Sequence, residues 1–336
     1  MKRNTVFAVM LLGVCGQAMA VHPLPANKPM DANNPIFPVN FCADPTAVVY
    51  DGRVYVYGSN DQQELDETGN TGNNTYGKIK QLVCLSSADM ANWTWHDPIK
   101  VDNVCSWMWN SWAPSVVSRE EADGKTHFYM YFANGASGIG VMTATSPTGP
   151  WTDPIKRPLI NGSTPGIGQV NWLFDPGAVV DDNGDGWLAF GGGDPNSTGT
   201  DAMPGNARIV KLGADMVSFA SEFAVLPAPY HFEASELNII GGKFVYSYSS
   251  SWAARNDWQS LGIEKAAPAI CSIAYMTSDD PLDPASWEYQ GDMIKGIGSY
   301  AGWPGGNNHS HLQKFGNKYY MFYHMQGLSQ RMGYSG

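Results

Sequence analysis

Three carboxylates and a histidine, Asp44, Asp175, Glu233 and His309, stand at the same point of a repeated sequence pattern, and Ala113 holds that point in a further copy. A repeat gathers equivalent positions around one axis, so these side chains are expected to ring a single cavity. Like charges there repel and are poorly solvated unless chemistry or a cation employs them. Asp-Pro is a common turn opener, which accounts for Asp44 and Asp175 as easily as chemistry does. Glu233 precedes Ala234, so turn-making does not explain it. Carboxylates sharing a cleft can divide the work: one, held protonated, gives a proton to a leaving oxygen, while another, ionised, activates water or attacks carbon. Cleavage of glycosidic bonds uses such a pair. Sugar rings also stack on aromatic faces, and Trp107, Trp109, Trp112, Trp172, Trp252 and Trp303 lie in loop-like stretches beside the repeat starts. Packing between repeats is the competing use of each, and Trp93, Trp151 and Trp287 are assigned to it.

The elements that must position these residues are legible in the repeat. Asp44 to Ser59, Ala113 to Ala133, Asp175 to Phe190, Glu233 to Tyr248 and His309 to His324 each read as an apolar strand, a Gly-containing turn and an aromatic-rich strand. The first four copies are followed by a Ser/Thr/Asp-rich turn that closes on an aromatic: Trp93, Trp151, Phe219 and Trp287. Two hairpins per unit make a four-stranded antiparallel sheet, which cannot bury both its faces alone. Radial arrangement lets each sheet cover the next and leaves the innermost strands lining a central channel. The expected fold is therefore all-β, a five-bladed β-propeller. The starts lie 69, 62, 58 and 76 residues apart, a longer repeat than the turn spacing of a β-sandwich. The last unit stops before its outer strands, so either residues 30–43 complete the blade or the chain belongs to a longer one. Asp181-Asp-Asn-Gly-Asp-Gly186 opens like a calcium-binding loop, but Gly192 stands where a glutamate ligand is needed, so the run is read as a hairpin turn.

Composition narrows the function classes. Only 15% of the 336 residues are charged, and the net charge is -11, which argues against a helical bundle and against neutralising a phosphate backbone; nucleic acid is not an expected partner. Lys2 and Arg3, the apolar run Val6 to Val14 and Ala18-Met-Ala20 form a signal peptide over residues 1–20, too short to span a membrane. A secreted or periplasmic protein follows, with a linker at 21–33, a propeller domain at 34–336, and no membrane association once the signal is removed. Cys42, Cys84, Cys105 and Cys271 are then free either to pair in an oxidising compartment or to serve as buried thiols.

Ala43-Asp-Pro-Thr-Ala47, Trp112-Ala-Pro-Ser115, Phe174-Asp-Pro-Gly-Ala-Val-Val-Asp-Asp-Asn-Gly184, Phe232-Glu-Ala-Ser235, Asn307-Asn-His309 and Tyr320-Met-Phe-Tyr-His324 resemble the blade motifs of glycoside hydrolase family 43, in order, from about residue 34 to 330. The resemblance implies a five-bladed propeller that inverts configuration while removing arabinofuranosyl or xylosyl residues from plant cell-wall polysaccharides such as arabinoxylan, xylan and arabinan, with no cofactor in the chemistry. It implies Asp44 as general base, Glu233 as general acid, and Asp175 as the residue that raises and orients the acid. Glu236 is the rival acid. Trp112, Trp172, Phe232 and His309 are implied as substrate-binding. His309, or His311 in another hairpin register, would face a structural calcium ion through water, since calcium prefers oxygen ligands. Two departures stand out: Ser115 where an acidic residue is more usual, and Gln330-Arg331-Met-Gly-Tyr-Ser335 in place of the usual Arg-containing segment. Fructan-cleaving relatives carry Trp-Met-Asn-Asp-Pro and Arg-Asp-Pro signatures that this sequence lacks. An endo-acting arabinanase and a non-catalytic sugar-binding propeller are the alternatives, the latter disfavoured because the five starts differ.

Overall fold

The computed structural model describes residues 21–23, 35–37, 40–69, 74–193, 201–252, 254–295 and 308–324. The expected signal peptide, most of the linker, Trp303, Asn307 and the Gln330-Arg331 segment lie outside the described residues. In chain order, β1 (Val21–Pro23) precedes the first repeat, and β2 (Ala43–Tyr50), β3 (Arg53–Ser59), β4 (Gln81–Ser87) and β5 (Thr94–Lys100) form the first antiparallel sheet, with β1 added outside β5. The second sheet is β6 (Trp112–Glu120), β7 (Thr126–Ala133), β8 (Gly138–Ala144) and β9 (Ile160–Asn161). The third holds β10 (Gly177–Val180), β11 (Gly186–Gly191), β12 (Ala207–Lys211) and β13 (Ala224–Leu226). The fourth comprises β14 (His231–Ile240), β15 (Lys243–Ser250), β16 (Ile273–Ser278) and β17 (Glu288–Ile294), and the fifth unit is the hairpin β18 (Ser310–Phe315) with β19 (Lys318–Tyr323). The protein is an all-β propeller in which four units form complete sheets.

Alternation along the second strand of each unit shows why the units pack radially. Side chains of a strand point to opposite faces in turn. Phe128, Met130 and Phe132 on β7 join Val48, Tyr57, Leu82 and Cys84 of the first sheet in one core. Their neighbours Tyr129 and Tyr131 face the other way, against Ala178, Leu188, Phe190 and Val210 of the third sheet. Trp187 and Ala189 then pack on Leu237, Tyr246 and Tyr248 of the fourth, and Phe322 of the last hairpin closes on Ala47, Val54 and Trp93 of the first. An all-apolar strand such as β11 is therefore buried on both faces between sheets, not in the middle of one. Trp93, Trp151 and Trp287 are 6–8% exposed and act in packing, as expected. The innermost strands touch in sequence, β2 on β6, β6 on β10, β10 on β14, β14 on β18 and β18 on β2.

Innermost strands are edge strands, and their outward amides need acceptors. The neighbouring unit supplies them: Val116 N donates to Thr46 Oγ1 at 3.2 Å and Ala178 N to Ser115 Oγ at 2.9 Å. Gly177 takes the corresponding place on β10, where a Cβ would lie 2.5 Å from Ser235 O and 2.6 Å from Glu236 Cα. Its missing side chain lets the β14 backbone close directly onto β10. The Asp181 turn is a hairpin turn, with Asp181 Oδ1 accepting the amides of Asn183 and Asp185 at 2.9 Å. Cys42, Cys84, Cys105 and Cys271 are free thiols, and the last three are buried.

Candidate active site

Asp44 and Glu233 sit where their innermost strands break register, and Asp175 lies just before the start of β10. β2 pairs Ala43 with Ser59 and next Thr46 with Tyr57, and β6 pairs Trp112 with Ala133 and next Ser115 with Tyr131, so two residues bulge inward in each case. Asp44 (φ 54°) and Ala113 (φ 39°) occupy that bulge in a left-handed conformation, and Asp175 (φ 47°) adopts it between Phe174, whose carbonyl accepts Gly191 N, and the start of β10; such a conformation is unusual for residues with a Cβ and typical of sites where a backbone is bent to aim a side chain. On β14 the left-handed residue is Ala234 (φ 63°), and the paired residues are Glu233 with Ser249 and Glu236 with Ser247. Glu233 therefore stands one position before the left-handed residue of its strand, where Asp44 and Asp175 are themselves left-handed, although the sequence repeat aligns all three.

Asp44 is built to stay ionised. Its Oδ2 accepts from Ser59 Oγ at 2.6 Å, and its Oδ1 lies 3.5 Å from His309 Nδ1 and 3.4 Å from His324 Nδ1. Its amide donates to His324 Nδ1 at 2.9 Å. Burial, the largest influence, pushes its pKa upward, but the hydrogen bond and charge of His309 and the Ser59 hydroxyl, with the His324 ring beside them, carry it below the ordinary carboxylate range. Burial likewise presses His309 down, and the neighbouring Asp44, with Asp175 and Glu236 further off, more than reverses this and raises it to about 9.

Asp175 and Glu233 are displaced the other way. Asp175, 6% exposed, accepts Ala234 N on Oδ2 at 2.9 Å; burial first, opposed by His309 and reinforced by Asp44, lifts it to about 7. Glu233 is driven well above the glutamate range by burial, then by the charges of Asp175 and Asp44. Among these mutually interacting groups one carboxyl is held charged and another is held protonated, a pairing that hydrolysis with two carboxyl groups can use.

Glu236 is paired with a different histidine. It is 1% exposed, and its Oε1 meets His311 Nδ1 at 2.6 Å in a buried pair. Among the described residues no group of three or more His, Cys, Asp and Glu side chains is placed to hold a metal ion. The imidazoles expected near calcium, His309 and His311, stand beside Asp44 at 3.5 Å and Glu236 at 2.6 Å.

Around the carboxylates, Trp112 is half-buried and donates from Nε1 to Tyr76 O at 2.9 Å. Trp172, also half-buried, lies edge-on to Phe174 and Phe232, with centroids 5.3 and 5.5 Å away. Trp109 is 52% and Trp252 48% exposed. Gly135 lies beneath two of these indoles: a Cβ there would be 3.1 Å from Trp109 Nε1 and 3.8 Å from the Trp112 ring. Trp107 is used internally, donating to Asp153 Oδ2 at 2.7 Å and stacking on Phe132.

Several site residues lie outside the repeat's first position. Ser59 and His324 end the first and last copies; pairing of strand ends brings Ser59 to Asp44, and packing of the last hairpin against β2 brings His324 there. Tyr76 belongs to no repeat. It follows α1 (Asp61–Thr68) in the long β3–β4 connection, and its hydroxyl is pushed up to about 12 by burial and by the charges of Asp61, Asp44 and Glu233. Two buried carboxylates on α1 hold that connection in place: Asp61 accepts from Asn74 Nδ2 at 3.0 Å, and Glu64 accepts the Lys78 amide at 2.6 Å together with the Thr75 amide and hydroxyl.

The family profile described as glycosyl hydrolases family 43 matches residues 32–335. The chain belongs to that family. An arabinoxylan arabinofuranohydrolase from Paenibacillus polymyxa is 39% identical over 320 residues, 91% of this family 43 chain and 48% of the relative; the chain thus spans about half the length of that protein. The crystal structure of an arabinoxylan arabinofuranohydrolase from Bacillus subtilis in complex with cellotetraose superposes with a TM-score of 0.80 at 39% identity, over 89% of this chain and 62% of the other. An α-L-arabinofuranosidase from Clostridium thermocellum gives 0.67 at 33% identity, over 89% and 87%.

Proposed function

We propose that this family 43 chain is a secreted, inverting glycoside hydrolase that removes terminal α-L-arabinofuranosyl or β-D-xylosyl residues from hemicellulose, with residues 34–336 closing as a five-bladed catalytic propeller. The carrying observation is the opposed displacement of Asp44 and Glu233, two carboxyl groups brought within reach of each other's charge from different sheets. The cyclic contact of innermost strands through β18 back to β2 supports the fifth blade, and the substrate class rests on the named relatives. Export rests on residues 1–20 alone.

In this reading Glu233 delivers its proton to the glycosidic oxygen as the C–O bond breaks, and Asp44 takes a proton from a water that adds to the anomeric carbon from the opposite face. Water is consumed, the configuration inverts, and the proton now on Asp44 returns to Glu233 through solvent. Asp175 keeps the proton on Glu233 and holds the Ala234 amide, so the bulge that aims Glu233 is fixed by the residue that tunes it. No cofactor enters the sequence of steps.

Hydrolysis of 4-nitrophenyl α-L-arabinofuranoside and β-D-xyloside, of a dinitrophenyl glycoside and of arabinoxylo-oligosaccharides by the wild type, Glu233→Ala and Asp44→Asn tests it. Glu233→Ala is expected to lose roughly 10²–10⁴-fold on the oligosaccharides, which need protonation, and far less on the dinitrophenyl substrate. Asp44→Asn is expected to fail on both. Equal loss by Glu233→Ala on the two kinds of substrate removes the acid assignment, and absence of turnover by folded wild type on every substrate leaves a binding propeller.

A further inference from the structure

We propose that His231, Tyr246 and Ser235 form a buried positioning chain that fixes the acid-bearing bulge of β14 to the third sheet. The proposal rests on Glu233 being the general acid. A regular strand would hold Glu233 through ladder hydrogen bonds, but β14 shifts register against β15 on both sides of it, between His231 and Glu233 and again between Glu233 and Glu236. A bulge surrenders local backbone pairing, so something else must fix the direction in which Glu233 points.

The side chains behind the bulge do so. His231 is 3% exposed, and its Nδ1 lies 2.8 Å from Asn206 Oδ1. Asn206 donates from Nδ2 to His231 O at 3.2 Å and to Gly193 O, which leaves its Oδ1 as acceptor and places the imidazole proton on Nδ1. His231 Nε2 then accepts from Tyr246 OH at 2.8 Å, and the same hydroxyl oxygen accepts from Ser235 Oγ at 2.9 Å. Every bond in the chain runs one way. Burial holds His231 down at about 3, so the neutral tautomer persists throughout the working range. Backbone bonds tie the same parts together: Gly193 N donates to Phe232 O at 2.8 Å, and Ala234 N to Asp175 Oδ2 at 2.9 Å. The residues before and after Glu233 are thereby anchored to the third sheet, which also carries Asp175. These side chains touch no substrate in this arrangement; they act through the placement of Glu233.

Tyr246→Phe removes only the bridging hydroxyl and keeps the ring, stacked 6.0 Å from His231 and packed against Trp287. Tyr248→Phe is its control, since Tyr248 lies in the same aromatic stack but spends its hydroxyl on Pro229 O at 2.8 Å and makes no bond in the chain. Tyr246→Phe is expected to lower kcat on arabinoxylo-oligosaccharides about tenfold at nearly constant KM, because misplacement of a catalytic group is costly, and to leave the dinitrophenyl rate near wild type. Ser235→Ala should shift the ratio the same way by a smaller factor, and Tyr248→Phe should not change it. Equal losses on both substrates, no loss on either, or the same selectivity from Tyr248→Phe would each overturn the positioning role. The Glu233→Ala series separates the two ideas. If that variant shows leaving-group selectivity and Tyr246→Phe does not, the chain alone fails; if neither does, the acid reading has failed first.

Discussion

Replacing Asp175 by Asn should stabilise the protein at pH 8 relative to its effect at pH 4. In the folded chain Asp175 titrates near 7, against an ordinary value of 3.8, because burial and then the Asp44 charge outweigh His309 and the Ala234 amide. A carboxyl raised on folding binds its proton more tightly in the native state, so its stabilising contribution is complete below about pH 4 and is lost as pH climbs through about 7. At about 1.4 kcal/mol per unit, that displacement is worth about 4 kcal/mol between the two ends of the window. Asn carries no charge at either pH and is spared this loss. Relief of Glu233, which Asp175 also pushes upward, acts in the same direction. With roughly 2 °C per kcal/mol for a domain of this size, the difference in Tm between variant and wild type should grow by about 8 °C from pH 4 to pH 8. Thermal unfolding followed by near-ultraviolet circular dichroism at the two pH values measures it. The same variant should move the alkaline limb of kcat/KM to lower pH, since Glu233 then sheds its proton more readily. A Tm difference that is the same at both pH values would refute the claim that Asp175 is held as a buried, raised acid.

Two more outcomes follow from the geometry. Trp109→Ala removes a half-exposed indole that lies over Gly135 beside Trp112. Stacking is worth about 0.5–1.5 kcal/mol, so KM for polymeric arabinoxylan should rise roughly two- to tenfold while turnover of the 4-nitrophenyl glycosides stays unchanged; equal effects on both would remove Trp109 from contact with the polymer. Glu236→Ala strips the partner from buried His311 and should cost about 3–5 kcal/mol of stability in denaturant titration, with residual activity showing no leaving-group selectivity. Selectivity like that of Glu233→Ala would instead make Glu236 the acid.

The sequence by itself determined the all-β repeat, the hairpins of each unit, the turn aromatics that pack between sheets and the positions of Asp44, Asp175 and Glu233. These are local properties: alternation with period two, glycine at turns, and a motif repeated at similar phase. Tertiary structure decided what the carboxylates do. Whether Asp44 is charged and Glu233 neutral depends on Ser59, His309 and His324 arriving from strand ends far apart in the chain, and on burial that no single repeat provides. The offset of Glu233 by one residue from the left-handed position was also hidden, because aligned letters do not reveal at which residue a strand leaves its ladder. Tyr76 and the His231 chain were not legible for a related reason: Tyr76 and His231 lie outside the repeat copies, and Ser235 and Tyr246, though inside the fourth, acquire their roles only through side-chain hydrogen bonds that the repeat pattern does not encode. Patterning along the chain sets which residues reach the channel, and contacts between sheets set their protonation, because solvation and Coulomb interactions depend on distances in space and not on separation in sequence.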